Sequence, residues 1–147
     1  MSIAAPAGSA VYGFVTSKQL PAEFKDGRLA VDVALPVAGG RLLCVYPGAF
    51  GKLAVTGGPA FTRGSSGTLQ VTLLDAAGKP VSGRQLADVR IAGPAGQPHD
   101  ESGLYRLDRG QATVPFRPAL NDAAGEYRVT VTERCSGLRA ETRLVVK

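Results

Sequence analysis

Two alternating runs that meet at a glycine turn constrain this chain more than any other feature. Tyr127, Val129 and Val131 alternate with Arg128, Thr130 and Thr132, and after Ser136-Gly137 the alternation resumes. There Leu138, Ala140, Thr142, Leu144 and Val146 stand against Arg139, Glu141 and Arg143. A period of two marks a strand with one face buried and one in water. Two such runs joined through Gly137 predict a β-hairpin. A lone hairpin is at best marginal in water, so the upstream chain is expected to supply strands that cover the apolar face.

The remainder of the chain fits that demand. Leu29, Val31, Val33 and Leu35 alternate with Ala30, Asp32 and Ala34, Ala38-Gly39-Gly40 reads as a turn, and Arg41 to Tyr46 is a nearly continuous apolar run ending at Pro47-Gly48. These two runs predict a hairpin, and the continuous run predicts burial on both faces. Lys52 to Thr56 is a short strand, Gly57 to Gly67 a loop, and Leu69, Val71 and Leu73 a further strand. Asp75 to Pro80 has turn chemistry, with glycine supplying positive φ and proline a preset φ. Val89 with Ile91, Tyr105 with Leu107, and Val114 with Phe116 mark three more strands. About seven strands after Lys52, 19 glycines, 10 prolines and no capped helical period predict an all-β fold. Periodicity alone fits a barrel as well as a sandwich. The expected division is residues 1–50 as an N-terminal β segment, which resembles the closing strands of a preceding β-domain, and residues 51–147 as one β-sandwich.

With 44% hydrophobic and 20% charged residues the chain belongs to the globular class rather than the disordered one. The net charge of +5 is spread along the sequence, which reads as an arginine-rich solvated surface and gives no expectation of nucleic-acid binding. No apolar run approaches 18 residues, so no helical membrane insertion is expected. The start, Met1 to Ala10, lacks a basic region followed by an apolar stretch, so no signal peptide is read in it. Cys44 and Cys135 lie 91 positions apart. A disulfide closing that loop would contribute about 4–5 kcal/mol on chain-entropy grounds, but two unpaired thiols, one of them buried, are the expectation.

Residues that carry chemistry are sparse. The single histidine, His99, lies in the polar stretch Gly96-Gln97-Pro98-His99-Asp100-Glu101-Ser102-Gly103, which predicts a solvated loop side chain rather than a positioned catalytic base. Asp100 and Glu101 offer too few oxygens for a calcium ion, and Cys44, Cys135 and His99 lack zinc spacing. Gly64-Ser65-Ser66-Gly67 lacks the lysine of a phosphate loop, and Asn121-Asp122 before Gly125 reads as a turn cap. No catalytic residue, metal site or cofactor is therefore expected.

Residues 52–147 resemble a bacterial immunoglobulin-like module, and the related macroglobulin-type and fibronectin type III-like sandwiches. Three stretches carry the resemblance. Val71 to Val81 resembles the strand followed by an Asp-x-x-Gly-x-Pro-Val turn, Leu120 to Val131 resembles a strand F built on Gly-x-Tyr-x-Val, and Ser136 to Val146 resembles a terminal strand G. Tyr127 then stands where a tyrosine corner buries its ring and returns its hydroxyl to the backbone just upstream. The antibody pattern is not met, since Val129 occupies the place of the second cysteine and the chain has no tryptophan. The resemblance implies a non-catalytic structural or interaction module of a larger bacterial envelope or secreted protein, whose partners are neighbouring domains or another protein. It also implies that strands C, F and G share a sheet, which would gather Arg90, Arg128, Arg139 and Arg143 on one outer face. That face, or the Phe61–Ser66 loop, is the candidate site of an alternative role as an accessory carbohydrate-binding module, with an acidic polysaccharide gripped by arginine.

Overall fold

A computed structural model describes residues 1–147 as fourteen strands. Six belong to the N-terminal segment: β1 (Ser2–Ala4), β2 (Ala10–Gly13), β3 (Lys18–Leu20), β4 (Ala22–Lys25), β5 (Arg28–Val31) and β6 (Leu43–Tyr46). Eight follow: β7 (Phe50–Gly57), β8 (Ala60–Phe61), β9 (Gly67–Asp75), β10 (Arg84–Ala92), β11 (Gly103–Asp108), β12 (Gln111–Phe116), β13 (Gly125–Glu133) and β14 (Arg139–Val146).

The second group forms an immunoglobulin-like sandwich. One layer runs β7–β9–β12 and the other β11–β10–β13–β14, with every one of these pairings antiparallel. The layers are joined through the β11–β12 turn, where a single residue pair, Asp108 with Gln111, bridges them. Short β8 runs parallel to the end of β14. Period-two patterning decides which side chains turn inward. Leu53 and Val55, Leu69, Val71 and Leu73, and Val114 and Phe116 come from the first layer. Ala87, Val89 and Ile91, Leu107, Tyr127, Val129 and Val131, and Leu144 and Val146 come from the second, and together with Val81 all are buried in one cluster. Burial of this kind removes apolar surface from water at about 25 cal/mol per Å² and is what holds the layers together.

The predicted hairpin at the end of the chain forms, with Tyr127 opposite Leu144 and Val131 opposite Ala140. Tyr127 makes the tyrosine corner, its hydroxyl donating to the Ala123 carbonyl at 3.0 Å. The Asp75 turn is closed by its own side chain, whose Oδ1 accepts from the amides of Ala77 and Lys79, both at 2.9 Å. The loop from Gly57 to Gly67 contains β8, which the sequence did not announce because two residues carry no period.

The N-terminal segment departs from expectation. The runs at 29–35 and 41–46 do not pair with each other. Instead β5 sits between β1 and β4 in one small sheet, and β6 pairs with β2, which also pairs with β3, in another. The strand stops at Val31, and the chain from Asp32 to Arg41 makes a connection through a turn at Ala38, which adopts φ 55°. Pro36, which has no amide hydrogen to donate, cannot extend a ladder there. Nor is the run at 41–46 buried on both faces. As an edge strand bound only to β2, β6 is half-buried over most of its length, and the preceding Leu42 is 58% exposed.

Candidate functional site

The outer face of the β11–β10–β13–β14 layer carries the arginines singled out from the sequence. Ladder registers set Arg90 opposite Thr130, which faces Glu141, and set Arg128 opposite Arg143. Arg139 lies one row along, opposite Thr132. All four arginines are exposed. Acidic neighbours occupy three of them: Arg90 meets Asp88 at 3.4 Å, Arg143 meets Glu126 at 3.0 Å, and Arg139 pairs with Glu141. Arg128 takes part in no ion pair and stands across from a like charge, an arrangement that costs stability unless an anion lies between. The four side chains are therefore brought to one face, but only Arg128 has its guanidinium uncommitted.

The Phe61–Ser66 loop offers no aromatic platform. Phe61 turns inward and packs edge-on against buried Phe116, with ring centroids 4.9 Å apart.

His99 is placed differently from its sequence expectation. Its side chain is only 6% exposed, and its ring lies 4.8 Å from that of Phe116 and 6.1 Å from that of Tyr127. Nδ1 accepts from the Glu101 amide at 3.2 Å, which leaves Nε2 as the protonated nitrogen, 3.4 Å from Asp122 Oδ2. Asp122 in turn caps the approach to β13 by accepting from the Ala119 amide at 2.8 Å. The polar run predicts a solvated loop. In the fold it instead closes back on β10, with the His99 amide donating to the Ile91 carbonyl and Ser102 Oγ bonding the Ile91 backbone. A hollow of about 290 Å³ opens beside this histidine, lined among others by Glu101, Arg117 and Asp122. Glu101 is held by Arg117 at 2.7 Å, which raises the guanidinium pKa. Both imidazole nitrogens are engaged and the nearby Ser102 hydroxyl is spent on backbone, so the cluster is built to fasten loops rather than to activate a nucleophile.

A third cluster escaped the sequence reading. At the end of the sandwich Tyr12, Tyr46 and Phe50 pack together: Tyr12 stacks on Phe50 at 4.7 Å, Tyr46 tilts onto Phe50 at 4.7 Å, and the two tyrosines meet edge-on at 6.2 Å. The Phe50 amide donates to the Tyr12 hydroxyl at 2.7 Å, and the Tyr46 hydroxyl donates to the Arg84 carbonyl at 3.1 Å. Buried Cys135 and half-buried Cys44 belong to the same cluster, both as free thiols. Tyr46 Oη lies 3.8 Å from Cys135 Sγ. Burial first, and then the neighbouring Cys44, push the Cys135 thiol up to about 12. Burial also raises Tyr12 and Tyr46. Beneath them Glu133, fully buried, accepts from the amides of Cys135 and Ser136 at 3.0 and 2.6 Å and from Ser136 Oγ at 2.6 Å, so its carboxylate fixes the β13–β14 turn. Ser17 Oγ donates to the Arg134 carbonyl at 2.8 Å. Gly137, at φ 74°, lets the Ser17 backbone approach so closely that a Cβ there would lie 2.9 Å from its carbonyl oxygen. The only sequence signal for this junction was a pair of tyrosines within short apolar runs, and four-residue strands carry too little period to assign a partner.

The rest of the N-terminal segment is sparsely covered. A groove of about 410 Å³ lies between the β2–β3–β6 sheet and the connection that follows β5, lined by Val15, Leu20, Val33, Pro36, Leu42 and Leu43 among others; Val15 and Leu42, together with Leu35 and Val37 of the same connection, expose most of their surface.

No family model matches the chain, and no curated protein matches it. Among solved structures it is similar to the CARDB domain of a Pyrococcus furiosus protein, with a TM-score of 0.44 and 13% identity, covering 65% of this chain and 86% of that one. It is similar to a β-glucosidase from Listeria innocua, with a TM-score of 0.43 and 16% identity over 74% of this chain, but it spans only 17% of that enzyme's length. It is also similar to the PKD domain of an M14-like peptidase from a Thermoplasmatales archaeon, with a TM-score of 0.40 and 15% identity, covering 67% of this chain and 93% of that one.

Proposed function

We propose that this chain is a non-catalytic structural and interaction module of a larger bacterial protein of the envelope or exterior, in which the sandwich spaces its neighbours and residues 1–50 form the junction to one of them. The observation that carries this reading is the asymmetry between the two parts. The sandwich buries its inward face completely, whereas the N-terminal segment is clamped to its end by Tyr12, Tyr46 and Phe50 and leaves Val15, Leu35, Val37 and Leu42 in water. Val15 and Leu42 lie exposed in an apolar groove, and Leu35 and Val37 are bare on the same connection, as a docking surface for an adjacent domain looks before that domain is in place. The test is to extend the reading frame of the source gene on both sides of these codons and express the longer product. Cross-linking from positions 37 and 42 to the neighbouring domain, weakened by Leu42→Asp, is the expected result. A gene that encodes no further domain, with a purified chain that stays monomeric, overturns the reading.

Arg128 favours a second reading, an accessory module that binds acidic polysaccharide. An uncommitted guanidinium facing Arg143 is suited to a carboxylate or sulfate of a sugar chain. Retardation of the protein in gels containing an acidic polysaccharide, fading with salt and in the double variant Arg128→Ala, Arg143→Ala, is the expected behaviour. Equal mobility with and without the polysaccharide removes this reading.

A further inference from the structure

The junction holds the chain's only two cysteines side by side, although they lie 91 positions apart and on different parts of the fold. Cys44 comes from β6 of the N-terminal segment, and Cys135 from the turn between β13 and β14 of the sandwich. Both pack in one small cluster with Ala10, Tyr12 and Tyr46: Cys44 stands opposite Tyr12 in the β2–β6 ladder, and Cys135 Sγ lies 3.8 Å from the Tyr46 hydroxyl. Their surroundings differ in a useful way. Cys135 is 2% exposed, while Cys44 is half-buried on an edge strand.

We propose that Cys44 and Cys135 form a reversible disulfide, driven by a small-molecule disulfide such as oxidised glutathione, which covalently staples the N-terminal segment to the sandwich. The chemistry follows from their exposure. The Cys44 thiol gives up its proton and attacks one sulfur of oxidised glutathione, forming a mixed disulfide and releasing one glutathione thiolate. The Cys135 thiol, its proton passing to solvent, then attacks Cys44 Sγ and expels the second glutathione. Two protein thiols are oxidised by two electrons, and one glutathione disulfide is reduced to two thiols. Cys135 is not the first attacker, because it is covered from reagents in solvent, whereas the mixed disulfide on Cys44 forms within its own cluster. The product joins two elements that are otherwise held only by the aromatic cluster and a few hydrogen bonds. Its chemistry does not depend on what the module docks to.

The full chain, equilibrated with oxidised glutathione, quenched in acid, denatured and then treated with a maleimide polymer, decides the matter. The expected outcome is a monomer that takes up no maleimide and weighs two hydrogens less than the reduced chain. Proteolysis should yield one peptide pair joined through Cys44 and Cys135, and dithiothreitol should restore two reactive thiols. The locked form is expected to melt higher by about 10 °C, the effect of cross-linking a loop of this length in a domain of this size. Cys135→Ser should stop at a glutathione adduct on Cys44. Cys44→Ser, a change in a half-exposed strand that preserves folding, should leave Cys135 unmodified under the same conditions. Two free thiols in the wild type after equilibration overturn the proposal, as does a stable glutathione adduct on Cys44 alone or a disulfide-linked dimer.

Discussion

Tyr127 and Cys135 show how single side chains set the stability of this fold. The Tyr127 ring is buried beside Phe116 and His99 while its hydroxyl reaches the Ala123 carbonyl. Tyr127→Phe removes one hydrogen bond and is expected to cost about 1 kcal/mol, whereas Tyr127→Ala empties the site and is expected to cost about 3–5 kcal/mol. Urea unfolding monitored by circular dichroism measures both, and two nearly neutral variants would refute the corner. Cys135 governs behaviour at high pH. Its thiol is pushed from an ordinary 9.0 to about 12, first by burial and then by its Cys44 neighbour, so the folded chain keeps a proton that the unfolded chain releases. Stability from the neutral thiol is complete below pH 9 and is lost as pH rises from 9 towards 12. Tyr12 and Tyr46, also raised by burial, act with the same sign. The reduced protein's urea midpoint should therefore fall across that window, and a midpoint that rises there contradicts the assignment. Tyr127 was legible in the sequence because its neighbours alternate around it. His99 was not, because its burial depends on Pro98 and Ser102 folding back onto β10 and on Phe116 arriving from another strand, none of which a local pattern encodes.

At the scale of elements, the turns do as much to define the architecture as the strands. The chain passes from one layer to the other at Arg109-Gly110, where both residues adopt positive φ, 50° and 74°. This is the backbone of a tight hairpin turn whose twist matches that of its strands. A Cβ on Gly110 would lie 2.6 Å from the Leu73 carbonyl oxygen and 2.9 Å from the Val81 amide nitrogen, both backbone atoms. Gly110→Ala is therefore expected to cost about 1–3 kcal/mol from the left-handed backbone alone and more from the contact. Thermal unfolding measures it, and an unchanged midpoint would mean that the layers are not joined as described. Long strands such as β9, β10, β13 and β14 were readable because eight or nine residues display the period several times. β2 and β8 were not, since two to four residues fit any partner; the run that holds β6 was readable as a strand but not its partner β2, and β5 paired with strands the sequence left unmarked. The expected hairpin between residues 29–35 and 41–46 failed for that reason: alternation identifies which face is apolar, but not which strand will cover it.

The whole molecule is a well-buried sandwich with a lightly attached second part, and that difference has a measurable consequence. Every member of the sandwich's buried cluster lies between Leu53 and Val146, so nothing in residues 1–49 is needed to complete it. The attachment rests on Tyr12, whose ring stacks on Phe50 and whose hydroxyl accepts the Phe50 amide. Removing a buried aromatic ring of this kind costs about 3–5 kcal/mol. Because the ring sits between the two parts, that loss should appear as local opening of the N-terminal segment rather than as global unfolding. In the reduced protein, Tyr12→Ala is therefore expected to speed hydrogen exchange at the amides of Ala10 and Tyr46, paired across β2 and β6, by roughly a hundredfold or more, since each tenfold corresponds to about 1.4 kcal/mol. Exchange at Val71, Val89 and Val131, deep in the sandwich, should hardly change. If those core amides accelerated in step with Ala10 and Tyr46, the two parts would unfold as one unit, and the aromatic cluster would belong to a single continuous core instead of a joint.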